Sequence, residues 1–190
     1  MSDPFPADPF PALALPRVLL RCVWAGDAAA TAGLMTPAVS GRVAHWPVPF
    51  TPAMALARIE RAREQARAGL SLPMALLRRS DGALLGWVTV DRRRADPRRA
   101  SLGYWLGEAH RGRGYMAAAA PAAVAAGFRL LDVAAIEAAA RPDNPASIAV
   151  LRRLGMRCVG ERPVHASARG RDELCLAYEL ARPDARSPDA

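Results

Sequence analysis

The segment SLGYWLGEAHRGRGYMAAAA, residues 101–120, decides the fold of this chain. Ser101–Leu106 is short, apolar and aromatic, as expected of a buried strand, whereas the alanine-rich run after Tyr115 favours a helix. The glycine-rich turn between them carries Arg111 and Arg113. Because the first N–H groups of a helix lack intrahelical partners and glycines let an anion approach the backbone, the segment predicts a strand, a phosphate-binding turn and a helix.

The rest of the chain supplies the strands and helices that pack against this strand–turn–helix unit. Its pattern predicts a first strand, a helix capped by Thr51, a hairpin at Asp81-Gly82, a strand after the alanine-rich helix, a helix capped by Asn144 and two closing strands. This order predicts a single α/β (α+β) domain with a mixed, mostly antiparallel sheet of about seven strands and helices on both faces. Asp27 is a candidate cap for a short helix after the first strand.

Length and composition are those of one globular domain. The chain has 190 residues, of which 52% are hydrophobic, enough for one core. We predict a flexible, proline-rich arm over residues 1–15, one folded domain over 16–182 and a disordered tail over 183–190. No apolar run is long enough to span a bilayer, and the N-terminus lacks the features of a secretion signal. The cytoplasm is therefore the predicted location.

The net charge and the cysteine content indicate which ligands to expect. The net charge of +8 permits binding to a polyanion, but no basic helix with base-reading residues stands out, so we do not expect nucleic-acid recognition. Cys22, Cys158 and Cys175 are widely spaced and form no cluster with histidine. We therefore expect reduced thiols and no metal site. The oligomeric state stays open between a monomer and a homodimer.

Two phosphate-binding motifs compete for the glycine turn. A Walker P-loop needs a GK[ST] ending, which the sequence RGRGYM lacks. A dinucleotide fingerprint needs G-x-G-x-x-G and an acid about 20 residues on. GRGYMA with Glu137 approaches this pattern, but it follows several hairpin strands instead of opening a first βαβ unit. The dinucleotide alternative therefore stays open but weak.

A third pattern accounts for more residues. YWLGEAHRGRGYM resembles the pyrophosphate loop of the GNAT superfamily of N-acetyltransferases, R/Q-x-x-G-x-G/A, which maps onto Arg111, Gly114 and Met116. Met116 departs from the small residue of that pattern. The GxGYM form of this loop is similar to that of the branch containing RimJ and RimL, which acetylates protein N-termini.

A second motif supports the same branch. NPASIAVLRRLGM resembles its N-x-x-S segment followed by G-[FM], which maps onto Asn144, Ser147, Gly155 and Met156. The loop HWPVPFT is also similar to the tryptophan–proline stretch of the branch. The resemblance runs from about residue 17 to residue 180. Because both motifs occur in order and in a strand–helix context, the pair is more specific than either alone.

The resemblance implies a fold and a set of ligand contacts. The two central strands would splay apart, the strand before the loop would hydrogen-bond the pantetheine arm of acetyl-CoA, and the loop amides would hold its pyrophosphate. The predicted coenzyme-binding residues are Tyr104, Trp105, Leu106, Arg111, Gly112, Arg113, Gly114, Tyr115, Met116, Asn144 and Ser147. Trp46 and Phe50 would form part of the wall that receives the acceptor.

The catalytic residues are less specified by the resemblance. Many GNAT enzymes have a tyrosine that acts as proton donor, four residues before the glycine that ends the helix capped here by Asn144. This chain has Leu151 at that position. The branch resemblance implies Ser147 as the proton donor instead. The acceptor amine must lose a proton before it attacks, and Glu108 and Glu137 are the candidate bases, with His110 and Glu173 also available.

These features predict transfer of an acetyl group from acetyl-CoA to a primary amine by direct attack in a ternary complex. The acceptor would be a protein N-terminal α-amine or a small-molecule amine. Two alternatives stay open at this point: a non-catalytic acyl-CoA-binding or regulatory module of the same fold, and a basic ribosome- or nucleic-acid-binding protein without chemistry.

Overall fold

The structure is a computed structural model that describes residues 8–183. Residues 1–7 of the predicted arm and residues 184–190 of the predicted tail lie outside the described residues. One eight-stranded sheet with the order β1-β2-β3-β4-β5-β6-β8-β7 organises the chain. The strands are β1 Leu13–Ala14, β2 Val18–Cys22, β3 Ser71–Arg78, β4 Leu84–Arg92, β5 Arg99–Leu106, β6 Ala135–Ala140, β7 Arg157–Ala166 and β8 Arg171–Ala181. The predicted mixed, mostly antiparallel sheet is confirmed, with the two-residue β1 as an additional strand.

In the described part of the chain, five α-helices cover the two faces of the sheet. They are α1 Ala28–Leu34, α2 Pro37–Ser40, α3 Pro52–Arg67, α4 Tyr115–Leu130 and α5 Pro145–Arg153. One apolar cluster lies between the sheet and α4, where Val88, Val90 and Ile136 are buried. The other lies beneath α1 and α3 and contains Trp87 and Trp105. None of the helices within residues 8–183 combines the length and apolar character that crossing a bilayer requires.

Local sequence signals determine most helix boundaries. The hydroxyl of Thr51 accepts a hydrogen bond from the N–H of Met54, and the side chain of Asn144 accepts one from the N–H of Ser147, so both predicted caps are present. Asp27 occupies the N-cap position of α1, as predicted, but its side chain bonds no N–H group of the helix. Its carboxylate instead pairs with Arg21 at 2.7 Å in the protein interior. A buried guanidinium satisfies that carboxylate more fully than one helical N–H would.

The central pair of strands separates after a short contact. β5 and β6 run parallel, and their register covers only three pairs, from Arg99 opposite Ala135 to Ser101 opposite Glu137. Beyond that point β5 stays paired with β4 up to Leu106, while β6 pairs with β8 up to Ala140. The sheet is therefore continuous at one end of this pair and open at the other.

The described part of the predicted arm, residues 8–15, packs against the domain. Phe10 is 7% exposed and belongs to the α4-side core, and β1 pairs antiparallel with β2. Asp8 forms an ion pair with Arg63 of α3 at 3.1 Å. These contacts give residues 8–15 a structural role in the folded domain.

We predict that Phe10→Ala lowers the free energy of unfolding by about 3 kcal/mol, because a buried aromatic ring is replaced by a cavity. Urea denaturation followed by circular dichroism measures this change. The control is Leu70→Ala, whose side chain is 48% exposed and should change the midpoint little. Equal, small effects of both substitutions would contradict docking of the arm.

Candidate active site

A cleft of about 1160 Å³ lies where β5 and β6 separate. Its walls come from both strands, the turn before α4, the first turn of α5, α3 and the loop that carries Trp46. Seven of its lining residues are arginines, whereas only Asp91 and Glu173 are carboxylates. The cleft therefore combines a largely apolar lining with an excess of positive charge, and it opens between two unpaired strand edges, which suits an elongated anionic ligand with an apolar arm.

The turn before α4 has the backbone of an anion site. Gly112 and Gly114 have φ values of 71° and 76°, in the left-handed region that favours glycine, and both line the cleft. The first bond of the helix joins the N–H of Ala118 to the carbonyl of Gly114. Within residues 8–183 no hydrogen bond is made by the backbone N–H groups of residues 112–116. These amides are directed outward at the positive end of the helix dipole.

The two arginines of the turn, both predicted to bind the coenzyme, have different surroundings, and Arg111 lines the cleft. The N–H of Arg111 donates to the carbonyl of Glu108, and its guanidinium bonds the carbonyls of Leu106 and Ala38 at 3.3 Å. Arg111 therefore holds the turn against the end of β5, and Arg113 is exposed. Arg17, which the sequence motif does not include, stacks on the Tyr115 ring at 5.0 Å and lies beside Gly114.

The strand predicted to bind the pantetheine arm, β5, has an unpaired edge beyond Ser101. The N–H of Gly107 bonds the carbonyl of Leu85 on β4. Because backbone groups alternate in direction along an antiparallel pair, the groups of Tyr104 and Leu106 point away from β4, towards the gap. The side chain of Trp105 lies on the other face of β5, in the cluster beneath α3, so its ring is a core residue.

A hydroxyl pair spans the gap between β5 and α5. The phenol of Tyr104 lies 2.9 Å from the hydroxyl of Ser147 and 3.2 Å from its carbonyl oxygen. Asn144 caps α5 by accepting from the Ser147 N–H at 3.3 Å. Burial raises the pKa of Tyr104 to about 12, so this phenol stays neutral near pH 7. The structure thus brings together the predicted residues Tyr104, Asn144 and Ser147.

Trp46 and Phe50, predicted to form the acceptor wall, line the cleft while being more than nine-tenths buried. Their rings lie 5.2 Å apart, and Trp46 also contacts Trp87 and Trp105 at 5.1 and 5.2 Å. The guanidinium of Arg58 stacks over Trp46 at 4.3 Å. The predicted acceptor wall is therefore part of an aromatic cluster in the core, and only a small part of the Trp46 and Phe50 rings is exposed to the cleft.

The structure does not bring the two predicted bases into the cleft. Glu108 is exposed, accepts a hydrogen bond from Thr36 and lies outside the cleft lining. Glu137 is buried at the last β5–β6 pair, where Arg93, Arg99 and Arg162 surround it.

The pKa of Glu137 follows from these contacts. Burial by itself raises the pKa, but the hydrogen bonds from Arg99 and Arg162 outweigh burial, so the pKa lies below its usual value. A carboxylate stabilised in this way is a weak base and a strong structural contact.

Glu173 lines the cleft but is also bound by arginines. Arg169 holds it through two hydrogen bonds of 2.8 Å, and these lower its pKa to about 2. His110 lies outside the cleft lining. Within residues 8–183 no three His, Cys, Asp or Glu side chains are grouped closely enough to hold a metal ion.

Comparison with known proteins agrees with this geometry. A model of the GNAT acetyltransferase domain matches residues 17–157, so the chain belongs to the GNAT acetyltransferase family. It is an N-acetyltransferase that depends on acetyl-CoA, as the sequence motifs predicted. No curated protein matches the sequence.

Solved structures with the same fold include several ribosomal-protein acetyltransferases. The ribosomal-protein-S5-alanine acetyltransferase of Vibrio fischeri has 20% identity and a TM-score of 0.80, over 94% of this chain and 100% of that one. RimJ of Mycobacterium smegmatis, in complex with CoA-disulfide, has 26% identity and a TM-score of 0.75, over 90% of this chain and 84% of that one. RimL, a ribosomal α-N-protein acetyltransferase in complex with coenzyme A, has 19% identity and a TM-score of 0.76, over 88% and 95%.

The ion-pair cluster at the vertex of the cleft predicts a pH-dependent contribution to stability. Glu137→Gln should lower the free energy of unfolding by about 2 kcal/mol at pH 7, as expected for losing hydrogen bonds to a charged group. Because the folded pKa is depressed, the wild-type advantage is present above the unfolded pKa of about 4.3 and lost as the pH falls through the folded value.

Urea unfolding of both proteins between pH 3 and pH 7 measures this difference. Glu60→Gln, on the exposed face of α3, is the matched control and should have little effect. A difference between wild type and Glu137→Gln that grows on acidification would contradict the assignment.

Proposed function

We propose that this acetyltransferase acetylates a primary amine, on a protein N-terminus or a small molecule, by direct attack in a ternary complex. The observation that carries the proposal is the row of unbonded amides over residues 112–116, which lies beside the gap between β5 and β6. The amides fit a pyrophosphate, and the open edge of β5 fits the amide-containing arm attached to it. Acetyl-CoA, when bound, supplies the activated thioester.

The chain's own residues have distinct tasks in this proposal. The backbone N–H groups of Tyr104 and Leu106 point into the gap, where they can donate to the pantetheine arm and polarise the thioester carbonyl as negative charge develops on its oxygen. Asn144 fixes the start of α5 and thereby the position of Ser147. Arg17 and Arg113 add positive charge near the turn.

Ser147 is the proposed proton donor. As the amine nitrogen bonds to the acyl carbon and the carbon–sulfur bond breaks, the Ser147 hydroxyl gives its proton to sulfur. A proton released from nitrogen then restores the hydroxyl through water. The neutral phenol of Tyr104, 2.9 Å away, orients the serine hydroxyl. Leu151, fully buried on α5, occupies the position where many GNAT enzymes have a tyrosine.

Ribosomal proteins are the named substrates of several structural neighbours. They are the reason for including free α-amines of peptides among the acceptors to be tested. A panel of short peptides and simple amines, read by release of the free CoA thiol, identifies the acceptor class. Release with some amines and not others also separates an enzyme from a module that only binds acyl-CoA.

We predict that Gly112→Ala weakens acetyl-CoA binding at least tenfold. The added methyl group borders the cleft, and the left-handed backbone that directs the amides is strained by about 1 kcal/mol in a non-glycine residue. Isothermal titration calorimetry measures the dissociation constant.

The matched control is Gly82→Ala in the β3–β4 turn. Its φ is also 71° and its surroundings are equally open, but it lies outside the cleft. It should lose similar stability and keep its affinity. Unchanged affinity in Gly112→Ala would exclude the turn as the pyrophosphate site.

We also predict that Ser147→Ala lowers kcat at least tenfold while the dissociation constant of acetyl-CoA changes less than threefold. The reason is that proton donation is needed in the transition state and not for binding. Steady-state CoA release together with calorimetry separates the two quantities. Ser80→Ala, in an exposed turn, is the control. Full turnover by Ser147→Ala would remove the hydroxyl from the mechanism.

A further inference from the structure

The sheet divides the cleft into two sides, and one of them faces α3. Leu102 of β5 packs in the core beside α4, whereas Trp105 packs in the core beneath α3. Because side chains alternate along a strand, Ser101 and Gly103 share the α3 side with Trp105. Gly103 is exposed there, so the α3 side of β5 is open towards the gap. Under the proposed function, this is the side from which an acceptor reaches the thioester.

Asp91 lies on the floor of the cleft on this side. It is directly opposite Ser101 in the β4–β5 register, and Thr89, the next residue on the same face, is opposite Gly103. The hydroxyl of Ser71 donates to its carboxylate, and the Thr89 side chain supplies a second hydroxyl group close to it. Ser71, Thr89 and Ser101 also line the cleft. The side chains closest to the carboxylate in this part of the cleft therefore carry neutral hydroxyl groups.

The charged environment of Asp91 differs from that of the other carboxylates nearby. Glu137 and Glu173 are each bound by several arginines. Among the salt bridges of residues 8–183 none includes Asp91, although seven arginines line the same cleft. Burial raises the pKa of the Asp91 carboxyl, and the two hydroxyl contacts only partly offset this. A partly buried carboxylate without a cation is costly unless a positive group is supplied from outside.

From this arrangement we infer that Asp91 receives the acceptor's ammonium group and takes its proton, directly or through one water molecule. The inference rests on the proposed function and deepens it, because it names the residue that selects a protonated amine. A carboxylate accepts hydrogen bonds from an ammonium group, and the hydroxyl of Ser71 holds one of its oxygens in place.

The position of Asp91 fits this task. Successive residues on one face of a strand are about 7 Å apart, so Asp91 lies roughly one such step from the site opposite Gly103. This separation matches an amine that bonds the carboxylate on entry and attacks near Tyr104 after losing a proton. In that step the N–H bond of the ammonium breaks, the proton goes to a carboxylate oxygen of Asp91, and the electron pair stays on nitrogen for attack.

The first test measures binding of a simple cation without acetyl-CoA. Butylammonium should raise the melting temperature of the wild-type protein more than its neutral analogue butanol does, and Asp91→Asn should remove that difference. Asparagine keeps the size and the hydroxyl contacts but lacks the charge. Asp132→Asn, an exposed aspartate outside the cleft, is the matched control and should behave as wild type.

The second test measures turnover with an acceptor from the amine panel. Asp91→Asn should lower kcat/KM for the amine about 100-fold, in the range of general-base contributions, with unchanged affinity for acetyl-CoA. Asp91→Glu should recover part of the loss and restore the response to butylammonium. If Asp91→Asn does not fold, Asp91→Glu and Asp91→Ser, compared with each other, provide the same contrast of charge.

The outcomes separate this inference from the proposed function. Equal stabilisation of wild type by butylammonium and butanol, or full turnover in Asp91→Asn, would overturn the role of Asp91. Absence of acetyl-CoA binding by the wild-type protein would overturn the proposed function instead, because the ammonium measurement does not involve the coenzyme.

Discussion

The separation of β5 from β6 after three paired positions is the constraint on which the rest of the site depends. Pairing as far as Ser101 and Glu137 holds the two halves of the sheet together, and its end leaves two strand edges unsatisfied. Unpaired backbone groups inside a protein are costly, so an open edge of this kind needs water or a ligand. The cleft is thus a direct product of the sheet topology.

The ion-pair cluster around Glu137 stabilises the point where the strands part. Arg99 of β5 and Arg162 of β7 reach this carboxylate on β6, and Arg99 also contacts Glu179 of β8. Four strands are therefore linked at the vertex by charges that are partly shielded from solvent. Such a network favours one arrangement of the strands at the point where β5 and β6 separate, since moving any of the four strands leaves a charge without its partner.

Residues with local roles were predictable from the sequence. Thr51 and Asn144 cap their helices and Gly82 turns the β3–β4 hairpin, because each acts on a backbone group within a few residues. The paired motifs of the coenzyme loop and α5 also indicated the family. The carboxylate of Asp27 does not cap α1 because Arg21, on the strand before it, binds it instead, and helix-capping patterns do not include such a side-chain partner.

The features that could not be predicted from the sequence depend on contacts between segments that are far apart in the chain. Arg17 meets Tyr115 across nearly 100 residues, and the Glu137 cluster joins four strands, so neither follows from spacing. Asp91 is one aspartate at the polar end of β4, and only the pairing register shows which hydroxyl groups surround it. The alternation of Val88, Thr89 and Val90 could have indicated which face Asp91 shares, but not that this face borders a cleft.

The hydrogen bond between Tyr104 and Ser147 has a consequence for the entrance of the cleft. It connects β5 with α5 on opposite sides of the gap, and it joins two groups that carry no charge. Screening by salt and protonation near neutrality therefore leave it unaffected, unlike the arginine pairs around the rim. The contact between β5 and α5 at the entrance therefore keeps its strength near neutrality when ionic strength or acidity changes.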